Sequence, residues 1–177
     1  MKLFDGLSIE CLAKADYAKT GQEWVLFLKP ATLRKATKRL YDQGYFLEDI
    51  CALDSTDGIL LVYHFDSMVK PGRITFKVLT SREEPKVPTI SDIFHGANWH
   101  ERETYDFHGV DFEGHPDLIP LLLPAEEDQR IDPPLLKSDK TRSGLKSIMS
   151  LYETESCSGA VQALFADDPA EETPAAG

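Results

Sequence analysis

Three consecutive β-rich segments do most to limit how this chain can fold: FLEDICAL (Phe46–Leu53), GILLVYHF (Gly58–Phe65) and RITFKVLT (Arg73–Thr80). Each is short and rich in β-branched or aromatic residues, and the loops between them hold Asp57-Gly58 and Pro71-Gly72. This punctuation predicts an antiparallel meander. A further apolar run, EWVLFLK (Glu23–Lys29), is bounded by Gly21 and Pro30 and predicts an earlier strand. Pro30 suits the first turn of a helix, Leu33, Ala36, Thr37 and Leu40 recur at helical spacing, and Gly44 supplies a C-cap, so a helix is predicted over Ala31–Gln43. Weaker helical patterns cover Ser8–Thr20 and Ser91–Gly109. The predicted class is α+β: a single compact domain with a mostly antiparallel four-stranded sheet covered by helices, plus an extended C-terminal tail.

Composition narrows the class further. A hydrophobic fraction of 42% and a charged fraction of 28% exclude wholesale disorder and fibrous architectures. No apolar run approaches the roughly 18 residues that span a bilayer, and the start MKLFDGLSIE lacks the basic and long apolar regions of a signal peptide, so the chain is expected to be intracellular or peripheral to a membrane. A net charge of −11 argues against nucleic acid and toward protein partners. The charge is uneven, with net −5 over Met1–Pro124 and net −6 over Ala125–Gly177, and no Lys or Arg follows Lys146. The division this predicts is a domain over 1–124, an extended partner-binding segment over 125–164 and a disordered acidic tail over 165–177. The dense basic cluster Arg34, Lys35, Lys38 and Arg39 reads as a solvated helix face in preference to an anionic docking surface. Cys11, Cys51 and Cys157 show no C-x-x-C spacing, which predicts reduced thiols, with Cys51 a small core residue.

The densest polar constellation is NWHERETYDFHGVDFEGHPD, Asn98–Asp117. His100 and Glu103 share a helix face, and with His108 they could hold a metal in a small stand-alone enzyme. The stretch has no H-E-x-x-H, and alternating charges at Glu101, Arg102, Glu103 and Asp106 can equally pair with one another or with a partner. No G-x-S-x-G, G-x-G-x-x-G or phosphate-cradling lysine loop occurs, so nucleophilic catalysis and nucleotide binding lack their usual signatures and no cofactor is expected.

These residues carry a specific resemblance. Trp99-His100-Glu101-Arg102-Glu103, then Asp106, Gly109-Val110, and Phe112-x-Gly114-His115-Pro116-Asp117-Leu118 resemble the signature of the respiratory complex I 30-kilodalton subunit family. The resemblance extends over roughly Trp24–Leu123, with a fainter echo at Pro134–Asp139. It implies a non-catalytic accessory subunit without a redox centre in the hydrophilic arm of a complex I-like oxidoreductase. The implied partners are the hydrogenase-like large subunit and neighbouring iron-sulfur subunits. The implied location is the cytoplasmic side of the cell membrane, reached only indirectly through the complex. The same module serves in NADH:quinone oxidoreductases and in energy-converting nickel-iron hydrogenases.

Two departures stand out. Ile119-Pro120 replaces the arginine pair common in the family, and His108 stands where an aromatic is usual, which leans toward a divergent, hydrogenase-type branch. Physically, Trp99 and Phe112 suit interface anchors or core, and Arg102 suits bidentate carboxylate pairing, with Glu103 or Asp106 or across an interface. Gly109 is expected to end the helix in a left-handed conformation, and Gly114-His115-Pro116 to turn the chain outward. The leucines beyond Pro116 are too apolar for a free tail, so that stretch is expected to order on a partner.

Overall fold

The computed structural model describes residues 2–69, 72–125, 131–149, 151–159 and 161. After a 3-10 turn at Lys2–Phe4 come β1 (Ile9–Ala15), α1 (Tyr17–Thr20), β2 (Trp24–Leu28), α2 (Pro30–Asp42) and the strands β3 (Phe46–Ser55), β4 (Gly58–Asp66) and β5 (Ile74–Thr80). Then follow β6 (Lys86–Pro88), α3 (Ala97–His108), β7 (Asp111–Glu113), α4 (Lys146–Met149) and β8 (Tyr152–Cys157). Among the described residues the main sheet runs β3-β4-β5-β2-β1-β8, and β6 and β7 form a separate parallel pair.

The class is the expected α+β with a mostly antiparallel sheet, since only the β2–β5 pairing within the main sheet is parallel. The meander β3-β4-β5 is antiparallel throughout. Gly58, at φ 136°, begins β4, and a side chain there would run into the Thr80 carbonyl of β5. In α2 the periodic residues Leu33, Ala36, Thr37 and Leu40 are all buried, and Gly44 follows at φ 76°.

Among the described residues the main sheet has six strands instead of four. The helix expected over Ser8–Thr20 is instead strand β1 followed by the single turn α1, which Asp16 caps through the Ala18 amide. Its alternation explains the change: Cys11, Ala13 and Ala15 join the core on one face while Leu12 joins the other. The sixth strand, β8, lies within the segment expected to be extended, and pairs antiparallel with β1. Cys11 and Cys157 oppose each other in that pairing and are joined as a disulfide, so the expectation of reduced thiols is overturned there. Cys51 is also not in the core: Ile50 points inward and Cys51 is exposed on the edge strand β3.

The sheet is covered on both faces. One face packs with Leu33, Ala36 and Leu40 of α2 and with Phe94, Ala97 and Phe112. The other, built from Cys11, Ala13, Val25, Phe27, Leu60 and Val62, is closed by Leu145, Ile148, Tyr152 and Val161. On that face the buried Lys77 amine donates to the Tyr152 hydroxyl at 2.8 Å and lies 4.4 Å from the Tyr152 ring centre, and burial lowers its pKa to about 8. The expected acidic tail over 165–177 lies outside the described residues.

Candidate functional site

Helix α3 begins at Ala97, later than the expected Ser91, because the chain from Ile90 to Gly96 makes separate turns, with the Ile93 and Phe94 amides both donating to the Ile90 carbonyl. It ends where expected, with Gly109 at φ 70° donating its amide to the Tyr105 carbonyl. Its inward side carries two carboxylates with different attachments.

Glu101 is fully buried. Its Oε1 accepts the Ile90 amide at 2.7 Å and its Oε2 accepts the Thr89 hydroxyl. The His115 side chain is equally enclosed, with Nε2 3.8 Å from Glu101 Oε2. His115 Nδ1 accepts the Asp117 amide at 3.1 Å, which leaves Nε2 to donate toward the Asn98 carbonyl at 3.3 Å. Burial raises the Glu101 carboxyl to about 7, against the opposing pull of the Ile90 amide and the Thr89 hydroxyl.

Asp106 is 4% exposed and holds the chain that leaves the domain. Its Oδ2 accepts three successive amides, Leu121 at 2.9 Å, Leu122 at 2.7 Å and Leu123 at 3.1 Å. One carboxylate oxygen facing three backbone donors is a strong, directional anchor. Arg102 reinforces it from the next turn, donating through Nε to the Ile119 carbonyl at 3.0 Å and through Nη2 to the Pro120 carbonyl at 2.9 Å. The expected pairing of Arg102 with Glu103 or Asp106 is therefore corrected: Asp106 is occupied by amides, and the guanidinium fork is taken by carbonyls. Ile119 and Pro120 supply those carbonyls through backbone that any residue pair provides. Because Arg102 is half-exposed and its partners are neutral, Arg102→Ala is expected to lower stability by about 1 to 2 kcal/mol. Thermal melting gives the total, and amide exchange should quicken mainly at residues 118–123.

The remaining motif residues divide between core and surface. Phe112, on β7, is buried, whereas Trp99 is 67% exposed. Glu103, Gly114, Pro116 and Asp117 are exposed, with Gly114 at φ 82° in the turn after β7. His108 is buried, and its pKa is lowered by that burial. Among the described residues no group of three or more His, Cys, Asp or Glu is placed to hold a metal ion, so His100, Glu103 and His108 do not assemble.

A third carboxylate, absent from the motif, ties down the later part of the strap, the segment following β7 whose described residues are 118–125 and 131–145. The Asp54 side chain is fully enclosed at the end of β3 and takes Arg82 in two-pronged fashion at 2.9 and 3.2 Å. It also accepts the Lys137 amide at 2.7 Å, with Arg142 at 3.7 Å. Burial alone would raise its pKa, but Arg82, the Lys137 amide and Arg142 together hold it below the ordinary carboxylate value. Nearby, the Leu145 amide donates to Asp57 and the Leu135 amide to the Phe107 carbonyl. The available sequence signal was an aspartate closing the apolar run ICALD.

Between the strap and α3 lies a cavity of about 350 Å³ lined by Tyr105, Asp106, Leu123, Ile131 and Pro133. Outside it the strap exposes Ile119, Leu122, Ile131 and Leu135, each at least half accessible. No helix among the described residues is long and apolar enough to cross a membrane.

Comparison with known proteins agrees with this architecture. The family described as respiratory-chain NADH dehydrogenase, 30 Kd subunit, matches residues 26–144. The C subunit of NADH-quinone oxidoreductase from Chloroherpeton thalassium is 40% identical over 85 residues, covering 47% of this chain and 35% of that protein, so the chain spans about a third of this relative. A solved trypsin-resistant fragment of Nqo5 aligns with a TM-score of 0.52 at 28% identity, covering 60% of this chain and 89% of the fragment. A chain of the membrane-bound sulfane sulfur reductase, an archaeal respiratory membrane complex, shares the fold with a TM-score of 0.58 at 21% identity, covering 78% of this chain and 81% of that one. The match spans the meander, the motif helix and the tethered strap: this chain belongs to the respiratory-chain NADH dehydrogenase 30 Kd subunit family.

Proposed function

We propose that the chain is a non-catalytic accessory subunit of a complex I-like membrane-bound oxidoreductase, docking on its large subunit and adjoining iron-sulfur subunits through the strap and the outer side of α3. The observation that carries this reading is how the motif is used. Glu101 and Asp106 turn inward and, with half-exposed Arg102, hold backbone, while Trp99, Ile119, Leu122, Ile131 and Leu135 are left facing solvent. Buried carboxylates that grip a loop fix a surface, and exposed large apolar residues on that loop give the surface an adhesive character. In this reading the domain over 1–124 is the scaffold, the stretch 125–164 supplies partner contacts in addition to β8, and the acidic end 165–177 stays free of the interface. The complex type favoured by the Chloroherpeton relative, a subunit of an NADH-quinone oxidoreductase, is the quinone-reducing one. The chain would then reach the cytoplasmic membrane surface through its partners.

The test is the double variant Leu122→Asp, Leu135→Asp. Both side chains are exposed, so the free chain should melt within about 1 kcal/mol of the wild type. Co-purification with co-expressed partner subunits should nevertheless fall about tenfold or more, because charges would be buried unpaired at the core of the interface. Undiminished co-purification would overturn the strap as the docking surface.

A further inference from the structure

The basic face of α2 does not simply face solvent. Arg34, Lys35, Lys38 and Arg39 wall a groove of about 610 Å³ with an apolar floor of Leu7 and Ile93, and Tyr41, 52% exposed, stands at its side. A second hollow of about 470 Å³ shares Asp92 and His95 with it and reaches Trp99 and Pro116. The two hollows adjoin at Asp92 and His95 as one trough, with exposed Tyr41 lining the first and exposed Trp99 the second.

The four cations are not equivalent. Arg34 grips both carboxylate oxygens of Asp92 at 2.7 Å and also donates to the Thr89 carbonyl, next to the loop that Glu101 holds. Arg39 donates to the carbonyls of Leu3 and Asp5, fastening the N-terminal turn. These two arginines build the walls. Lys38 pairs with Asp42 one turn away, 5.2 Å from the Tyr41 ring centre, and exposed Lys35 has no carboxylate partner among the described residues. The trough therefore keeps an excess of positive charge in a chain whose net charge is −11. That contrast selects an acidic occupant, and the apolar floor with the exposed rings of Tyr41 and Trp99 selects one that also carries apolar side chains.

We infer that the trough along α2 is a second docking surface, for an acidic, aliphatic or aromatic-bearing segment of a neighbouring protein subunit. It deepens the accessory-subunit reading by giving the chemistry of one partner, and it uses a face apart from the strap leucines.

The test compares complexes purified with the full chain carrying Lys35→Glu and Lys38→Glu against the Leu122→Asp, Leu135→Asp variant. The charge-reversal variant should melt within a few degrees of the wild type, since it loses only the exposed Lys38–Asp42 pair and the Tyr41 contact, and its dissociation constant for the partner subcomplex should rise about tenfold or more. Raising salt from about 0.05 to about 0.5 M should weaken the wild type but not the reversed variant, in which salt screens repulsion instead of attraction. A photo-crosslinker in place of Tyr41 should capture a partner peptide rich in Asp and Glu. Unaltered affinity and salt response in the charge-reversal variant would overturn the inference, and loss of binding by the strap variant alone would keep the accessory reading while the trough falls. Undiminished binding by both variants would remove both. Binding of the free chain to phosphatidylglycerol-containing vesicles that is abolished by the same charge reversal, without a protein crosslink, would assign the trough to lipid and overturn it as a protein site.

Discussion

Asp54→Ala is expected to lower the stability of the chain by about 3 kcal/mol and to release the strap before the sheet unfolds. The carboxylate is fully enclosed and has four contacts: two from Arg82, one from the Lys137 amide, and Arg142 at 3.7 Å. Removing one member of a buried ion pair strands the other members, a loss of about 3 to 5 kcal/mol. The lower end applies because the Arg82 side chain stays about a third exposed and can rehydrate. For a chain of this size that is roughly 6 to 12 °C in the melting midpoint. Amide exchange should quicken first at 131–145, whose ties to Asp54 and Asp57 are polar, while β4 and β5 keep their protection in the centre of the sheet. The sign of the pH dependence follows from the lowered pKa. The stabilising effect is present above the ordinary carboxylate range and is lost as pH falls through the native value. A variant that melts like the wild type, or strap exchange no faster than before, would show that the segment is held by other contacts.

The residues that the sequence made legible are those whose partners lie close in the chain. In α2 the apolar positions repeat within a single element, and in the meander each strand is followed directly by the one it pairs with, so local pattern and global fold agree. Strand β1 was hidden because IECLAKA is rich in helix-forming Ala, Leu, Lys and Glu, and its strand character comes from being paired on both sides. Its partner β8 is polar in sequence and more than 130 residues away. The motif was legible as a signature but not as a mechanism. Arg102 has tempting acids at Glu103 and Asp106, yet its acceptors are backbone carbonyls 17 and 18 residues later, and a backbone acceptor leaves no mark on residue identity. The same holds for the three amides around Asp106. Trp99 and Phe112, equivalent as anchors on composition, are separated only by geometry: Phe112 sits on β7 facing the core, and Trp99 lies on the solvent side of α3.

Glu101 gives the second large effect, and there pH and mutation must agree. In the unfolded chain the carboxyl titrates near the ordinary value of 4.5, whereas in the fold burial raises it to about 7. The native state therefore holds a proton that the unfolded state has released between these values. Stability is fully present below about pH 4.5 and is lost as pH rises through about 7, by about 3 kcal/mol in total. Glu101→Gln should remove this slope, since an amide oxygen can still accept the Ile90 amide and its nitrogen can donate to Thr89. The variant should match the wild type near pH 4.5 and exceed it near pH 8. Glu101→Ala should differ in kind, losing about 3 kcal/mol even at acidic pH, because the Ile90 amide and Thr89 hydroxyl are left unpaired beside a new cavity. Urea titrations of the three proteins between pH 4.5 and 8 separate these outcomes. A wild-type curve parallel to that of Glu101→Gln across the whole range would mean that this carboxylate stays ionised in the fold and that its burial is offset by the Ile90 amide and the Thr89 hydroxyl.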